Sequence, residues 1–172
     1  MDELAESLEI RPGRASDVPG AMQILKACID AMRGEGIDQW DEGYPDRATL
    51  ESDQAGGHLH VATIGGRCVG LVVVDDRQPE QYAAVAWQFR QGPFAVVHRL
   101  AVHPDFQSRG LGRFLMAGAE AVATGLGFRV VRLEALAANP AALGLYDTLG
   151  YARRGVVQFR NRDFICFEKS VG

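Results

Sequence analysis

Residues 96–116 read VVHRLAVHPDFQSRGLGRFLM, and the reading of this stretch decides the fold. A β-branched run ends at Val102, a polar turn follows, and Leu111 and Leu115 then recur at helical spacing. The pattern is strand, turn, helix. Gly110 and Gly112 stand where that helix begins, with Arg109 and Arg113 beside them and Gln107 at the entrance. A glycine there costs roughly 1 kcal/mol against alanine, so two of them point to something that must approach the backbone. A helix N-terminus offers unpaired N–H groups and about half a positive charge. Missing Cβ atoms let an anion reach it, and arginine forks reinforce the attraction. Those features suit a pyrophosphate. The competing structural reading is a glycine-rich turn with solvated arginines.

Two nucleotide motifs fail on spacing. A Walker loop needs Gly-Lys-Ser/Thr, whereas Lys26 and Lys169 are the only lysines of the chain. GLGRFL begins like a dinucleotide fingerprint but carries Leu115 at its third small position, and the loop from His103 to Arg109 is too long for the tight turn of that fold.

Working outward, the chain reads β-α-α-β-β-β-α-β-α-β-β. A short strand lies around Leu8–Arg11, and Ser16 or Asp17 then caps a helix with Pro19 in its first turn. Val18, Met22, Leu25, Cys28 or Ile29, and Met32 give that helix a core face, and Gly34 and Gly36 end it. Residues 46–57 form a second helix. Residues 58–76 form a hairpin through Gly65-Gly66, and a long connection, a candidate lid, leads to the strand FAVVHRLAV at 94–102. The helix from Gly110 to about Leu126 buries Leu111, Leu115, Ala119, Val122 and Leu126. FRVVRLEAL is the next strand, NPAALGLYDTLG a short helix, and YARRGVVQF and DFICFEKS a closing hairpin through RNR. We expect one α+β domain over residues 1–172.

The 172 residues carry a net charge of −4, which leaves no electrostatic footprint for nucleic acid. No apolar run reaches the roughly 18 residues of a membrane span. The acidic start, MDELAESLEI, does not read as a signal peptide, so a cytoplasmic protein is expected. Cys28, Cys68 and Cys166 have no CxxC spacing, and the four histidines form no ligand cluster, so no metal is expected.

Together, VVHRLAVHPDFQSRGLGRFLM and LEALAANPAALGLYDTLGY resemble the two cofactor segments of the GNAT acyltransferase superfamily. The order of elements along essentially the whole chain is also similar. The resemblance implies a GNAT-like mixed, mostly antiparallel sheet of six to seven strands, splayed in the middle and flanked by about four helices. It further implies an N-acetyltransferase that moves the acetyl group of acetyl-CoA to a primary amine by direct attack in a ternary complex, releasing CoA. Carried over residue by residue, Leu100, Ala101 and Val102 offer backbone groups to the pantetheine. Gln107, Ser108, Arg109, Gly110, Leu111, Gly112 and Arg113 surround the pyrophosphate, and Asn139 reaches the arm.

An alkylammonium with a pKa of roughly 10.4 is neutral in only about one molecule in a few thousand at pH 7, so a base is needed. His98, on the same strand face as Leu100, and Glu134, late in the partner strand, are the two candidates. The resemblance puts Tyr146 at the leaving sulfur, as a hydrogen-bond donor or transient acid. On the acceptor side, seven carboxylates between Glu35 and Asp53 surround Trp40 and Tyr44 and suit a cationic amine; Trp87 is a further pocket candidate. The acceptor is a small-molecule or peptide amine, and the protein a monomer or homodimer. The alternative function is a non-catalytic acyl-CoA sensor or interaction module on the same fold.

Overall fold

The computed structural model describes residues 7–172. Strands β1 (Leu8–Pro12), β2 (Leu59–Ile64), β3 (Arg67–Asp75), β4 (Phe94–Val102), β5 (Val130–Leu136), β6 (Ala152–Phe159) and β7 (Arg162–Ser170) form a sheet in the order β1-β2-β3-β4-β5-β7-β6. Helices α1 (Val18–Gly34), α2 (Arg47–Ala55), α3 (Leu111–Gly125) and α4 (Pro140–Thr148) complete the expected order of elements. The β4–β5 pair is parallel; β1–β2, β2–β3, β5–β7 and β6–β7 are antiparallel. The mixed, mostly antiparallel α+β fold is the one the resemblance implies.

Packing divides the chain into two compact units. One runs to Val73 and includes Arg99–Ala119; the other combines Val74–His98 with Glu120–Gly172. In the first unit, Val18, Ala21, Ile24, Leu25, Cys28 and Ile29 form the buried stripe of α1, packed with Leu50, Leu59, Val61 and Leu71. Met22 and Met32 are only partly buried against it. Asp17 precedes α1 but forms no side-chain cap; it binds the Arg11 guanidinium and the Arg14 N–H, tying strand to turn. Asp46 does cap α2, accepting from the Thr49 N–H at 2.8 Å. Gly65 and Gly66 have φ of 55° and 81°, as a two-residue β2–β3 turn requires.

The second unit holds a core of Val131, Leu133, Tyr146, Phe164, Cys166 and Phe167. Its β6–β7 turn uses Arg160 and Asn161 at φ of 50° and 60°.

The stripe on α3 differs from the expected one. Leu111, Leu115, Met116, Ala119 and Ala123 are buried, Val122 is half-buried and Leu126 is 68 % exposed. The helix stops at Gly125; Gly127, at φ 88°, donates to Thr124 O, and Phe128 returns its N–H to Ala123 O. This glycine-closed end turns Leu126 off the apolar track and into solvent.

Candidate active site

The proposed phosphate loop lies in the first unit. His103 opens it: its Nδ1 accepts from the Asp105 N–H at 3.1 Å and so caps the short turn Pro104–Phe106. Ser108 and Gly110 have φ of 61° and 84°, which reverse the chain twice around Arg109. The first turn of α3 closes with the Phe114 N–H on Gly110 O at 3.0 Å, so the amides of Leu111, Gly112 and Arg113 precede it. Gln107 through Gly110 are exposed, as is Arg113, while Leu111 is buried and anchors the helix start. The Arg109 guanidinium lies 5.7 Å from the Phe106 ring centre, and so does that of Arg67 from β3. Arg67 is a cation that the motif alone does not reveal. A helix N-terminus whose first amides precede the intrahelical bonds, with several arginines nearby, fits a pyrophosphate.

The structure gives three expected cofactor contacts further internal partners. Gln107 Nε2 donates to Val102 O at 3.0 Å, so its side chain braces the loop entrance. That carbonyl also accepts from Cys28 Sγ at 3.2 Å, and burial pushes the Cys28 thiol up to about 11. Asn139, in the second unit, caps α4 by accepting from the Ala142 N–H at 3.2 Å. Leu100 is half-buried and Ala101 buried.

The catalytic candidates lie in the second unit, and two of them are brought together. Glu134 on β5 accepts a hydrogen bond from the Tyr82 hydroxyl, stands opposite Cys166 in the β5–β7 register, and is close enough to raise the Tyr146 phenol. Burial is the larger cause of that upward shift, with Glu134 second. The Tyr146 ring packs against Phe167 and Tyr151 at 5.5 and 5.9 Å. Burial, then Glu134, likewise pushes the Cys166 thiol up to about 12.

His98 belongs to a different cluster. Its Nε2 lies 2.9 Å from Asp75 Oδ1, and Asp75 Oδ2 accepts from Arg77 Nε at 3.0 Å. Burial alone would raise the Asp75 carboxyl, but the bonds to His98 and Arg77 hold it down at about 2. Asp75 fixes one ring nitrogen of His98 and was not foreseen.

The acceptor candidates diverge. Trp40 is 8 % exposed and packs into the core of the first unit. Tyr44 is 39 % exposed, and its hydroxyl accepts from Arg99 Nη1 at 3.0 Å. Arg99 is a strand residue at φ 50°, held by a buried two-bond pair with Asp53 of α2 at 2.7 and 2.8 Å. Most of the carboxylates between Glu35 and Asp53 are committed locally. Glu42 pairs with Arg33, Glu51 with Arg47 and Asp53 with Arg99, while Asp41 and Asp46 accept backbone N–H bonds. An acidic wall open to a cation is therefore much reduced.

Trp87 is half-buried in the β3–β4 connection and lines a shallow cavity of about 320 Å³ with Val85, Phe89, Arg90, Phe94 and Arg132. That connection, read as a candidate lid, is tied down. Arg132 lies between the Trp87 and Phe94 rings at 4.2 and 3.8 Å and bonds Gln78 Oε1 and Phe89 O, while Glu168 accepts from the Gln88 N–H at 2.6 Å. Among the described residues, no three His, Cys, Asp or Glu side chains are grouped to hold a metal ion, and no helix is long and apolar enough to cross a membrane.

A profile of the Acetyltransferase (GNAT) family matches residues 25–151. The chain is 34% identical over 129 residues to the N-alpha-acetyltransferase RimI of Mycobacterium tuberculosis, spanning 74% of this chain and 71% of that one. It is 42% identical over 57 residues to the ribosomal protein bS18-alanine N-acetyltransferase of Salmonella typhimurium, spanning 33% and 38%. Among solved structures, a GNAT-family acetyltransferase of Streptococcus agalactiae superimposes with a TM-score of 0.86 at 22% identity over 96% of both chains. The ribosomal-protein-S18-alanine N-acetyltransferase of Escherichia coli does so at 0.70 and 20% identity, over 95% of this chain and 94% of that one.

Proposed function

This chain belongs to the GNAT acetyltransferase family and is an N-acetyltransferase, and we propose that its acceptor is the α-amino group of a peptide or protein N-terminus. The observation that carries this reading is the 34% identity over 129 residues to an N-alpha-acetyltransferase. The committed carboxylates of the first unit add support, because few are left to attract a polycation. An α-ammonium has a pKa of about 7.7–8.0, so roughly one molecule in ten is neutral at pH 7. The base then has far less to do than it would for a lysine side chain.

Acetyl-CoA, once bound, supplies an activated thioester. In this reading the amides of residues 110–113 and the arginines hold the pyrophosphate, and Leu100 to Val102 face the pantetheine. Glu134, directly or through one water, takes the proton that the attacking ammonium must lose. Tyr146 gives its hydroxyl proton, or a strong hydrogen bond, to the departing sulfur. A phenol of ordinary pKa near 10 is uphill of a thiol near 8.5 by roughly 2 kcal/mol, and burial raises Tyr146 further. Its proton therefore moves as sulfur becomes anionic, not before. His98 is read as a β4 anchor, fixed by Asp75.

Thiol release from acetyl-CoA tests the acceptor. The panel holds short peptides with free N-termini, the same peptides with blocked N-termini and an internal lysine, and small mono- and polyamines. Turnover is expected with free N-termini and lost on blocking. Faster turnover of the small amines would overturn the peptide reading. CoA binding with no turnover on any acceptor would instead support a sensor.

A further inference from the structure

We propose that Tyr82 is a positioning residue that holds the Glu134 carboxylate and sets the pH above which it accepts a proton. The proposal rests on the reading of Glu134 as the base and adds a residue from the β3–β4 connection, outside both cofactor segments. Tyr82 is 2 % exposed, and its hydroxyl donates to a Glu134 carboxylate oxygen across 52 residues of sequence. Burial, then the carboxylate, keeps this phenol well above its ordinary pKa, so it remains a donor throughout the working range.

The Tyr82 backbone is held by several hydrogen bonds and its ring is buried. It lies in the turn Glu80–Ala84, its N–H donates to Pro79 O at 2.9 Å, and its own carbonyl accepts from the Val85 N–H at 3.1 Å and from Trp87 Nε1 at 2.9 Å. The Tyr82 and Trp87 rings stand 5.0 Å apart, and the Arg132 guanidinium lies 4.2 Å from the Trp87 ring centre. A hydroxyl on a buried ring with a tethered backbone is placed to hold the carboxylate in one position.

Among the described residues, the titratable groups near Glu134 include Tyr82 from the connection, Tyr146 from α4, Cys166 from β7, and Arg132 two residues away on β5. His98 is engaged by Asp75. Tyr146 and Cys166 are neutral at pH 7, pushed up by burial and then by Glu134. Tyr82 stabilises the ionised carboxylate by a direct bond, and a donor to the charged form lowers a carboxyl pKa. Without it, Glu134 holds its proton to higher pH and is lost as a base there.

The test is the pH profile of kcat/KM with acetyl-CoA and the fastest acceptor of the panel above, for wild type, Tyr82→Phe and Glu134→Gln. Phenylalanine keeps the buried ring and removes only the donor. The acid limb is expected to rise by about 1 pH unit in Tyr82→Phe, with kcat on the plateau lowered less than about threefold. Glu134→Gln is expected to replace that limb with one at the acceptor amine's own pKa, about 7.7–8.0 for an α-amino group. A Tyr82→Phe limb at the wild-type pH, with Glu134→Gln behaving as expected, makes Tyr82 a packing residue and overturns the proposal. A wild-type limb in Glu134→Gln removes the base assignment, and the proposal falls with it. If Tyr82→Phe does not fold, Trp87→Phe replaces it with the same limb as the readout, since it takes away the indole N–H that pins the Tyr82 carbonyl.

Discussion

The phosphate loop and the Glu134 cluster are built from opposite materials. The loop of the first unit is exposed and made of backbone: amides ahead of the first helical turn, two left-handed residues, and arginines in solvent. The cluster of the second unit is made of side chains that are largely out of water, Tyr82, Tyr146 and Cys166 around one carboxylate. A backbone site needs particular conformations and so constrains which residues can occupy it. A side-chain site needs only that distant elements meet. Binding an anion and moving a proton call for these two designs respectively.

The largest expected effect tests the buried half. Tyr146→Phe leaves the ring against Phe167 and Tyr151 and removes only the hydroxyl. If that hydroxyl meets sulfur as charge develops, kcat falls by roughly ten- to a thousandfold, the usual span for a proton-transfer group. The Michaelis constant for acetyl-CoA stays near wild type, because the lost interaction strengthens only in the transition state. Pre-steady-state measurement on the best acceptor, where chemistry limits the rate, is the check. Wild-type turnover would remove Tyr146 from the mechanism and leave the loop's role untouched.

A tenfold to hundredfold loss of CoA affinity is expected from Gly112→Asp, which tests the exposed half. A carboxylate in the first turn of α3 suits the helix itself, whose N-terminus favours negative charge. Stability should therefore change little. The same carboxylate repels a pyrophosphate docked at residues 110–113. Calorimetry should also show CoA bound far more tightly than pantetheine by the wild type. Equal affinities, or CoA binding unchanged in Gly112→Asp, would mean the loop is not the anion site.

The same contrast explains what the sequence made legible. Strands showed because β-branched runs stop at turn residues, as at Gly65-Gly66, and the loop because Gly110 and Gly112 stand together at a helix start, although Gly110, at φ 84°, also serves the turn. The Tyr82–Glu134 and Asp75–His98 bonds join positions 52 and 23 residues apart, and no local pattern marks them. The acidic run is a related case. Composition counts Glu42, Glu51 and Asp53 as free charge, whereas Arg33, Arg47 and Arg99 already hold them. Trp40 went to the core because a large apolar ring gains more from burial than from a half-wet wall.

The smallest expected effect separates backbone from side chain within the loop. Arg109 is exposed, and its guanidinium and that of Arg67 each lie 5.7 Å from the Phe106 ring centre. A charge in that setting acts through water, is screened over about 10 Å at 0.1 M salt, and contributes no more than about 1 kcal/mol. Arg67 and Arg113 also remain when it is removed. Arg109→Ala should therefore weaken CoA binding by about two- to fivefold at low salt, with the difference shrinking as salt rises. If the pyrophosphate docks on the amides, that contact is short-range and salt screens it far less than an exposed charge. The Gly112→Asp defect should accordingly persist in part at high salt, since a steric component does not respond to ionic strength. A salt titration of CoA affinity for wild type and both variants reads the two components apart. A loss in Arg109→Ala as large as in Gly112→Asp would show that the arginine forks, not the helix N-terminus, hold the pyrophosphate.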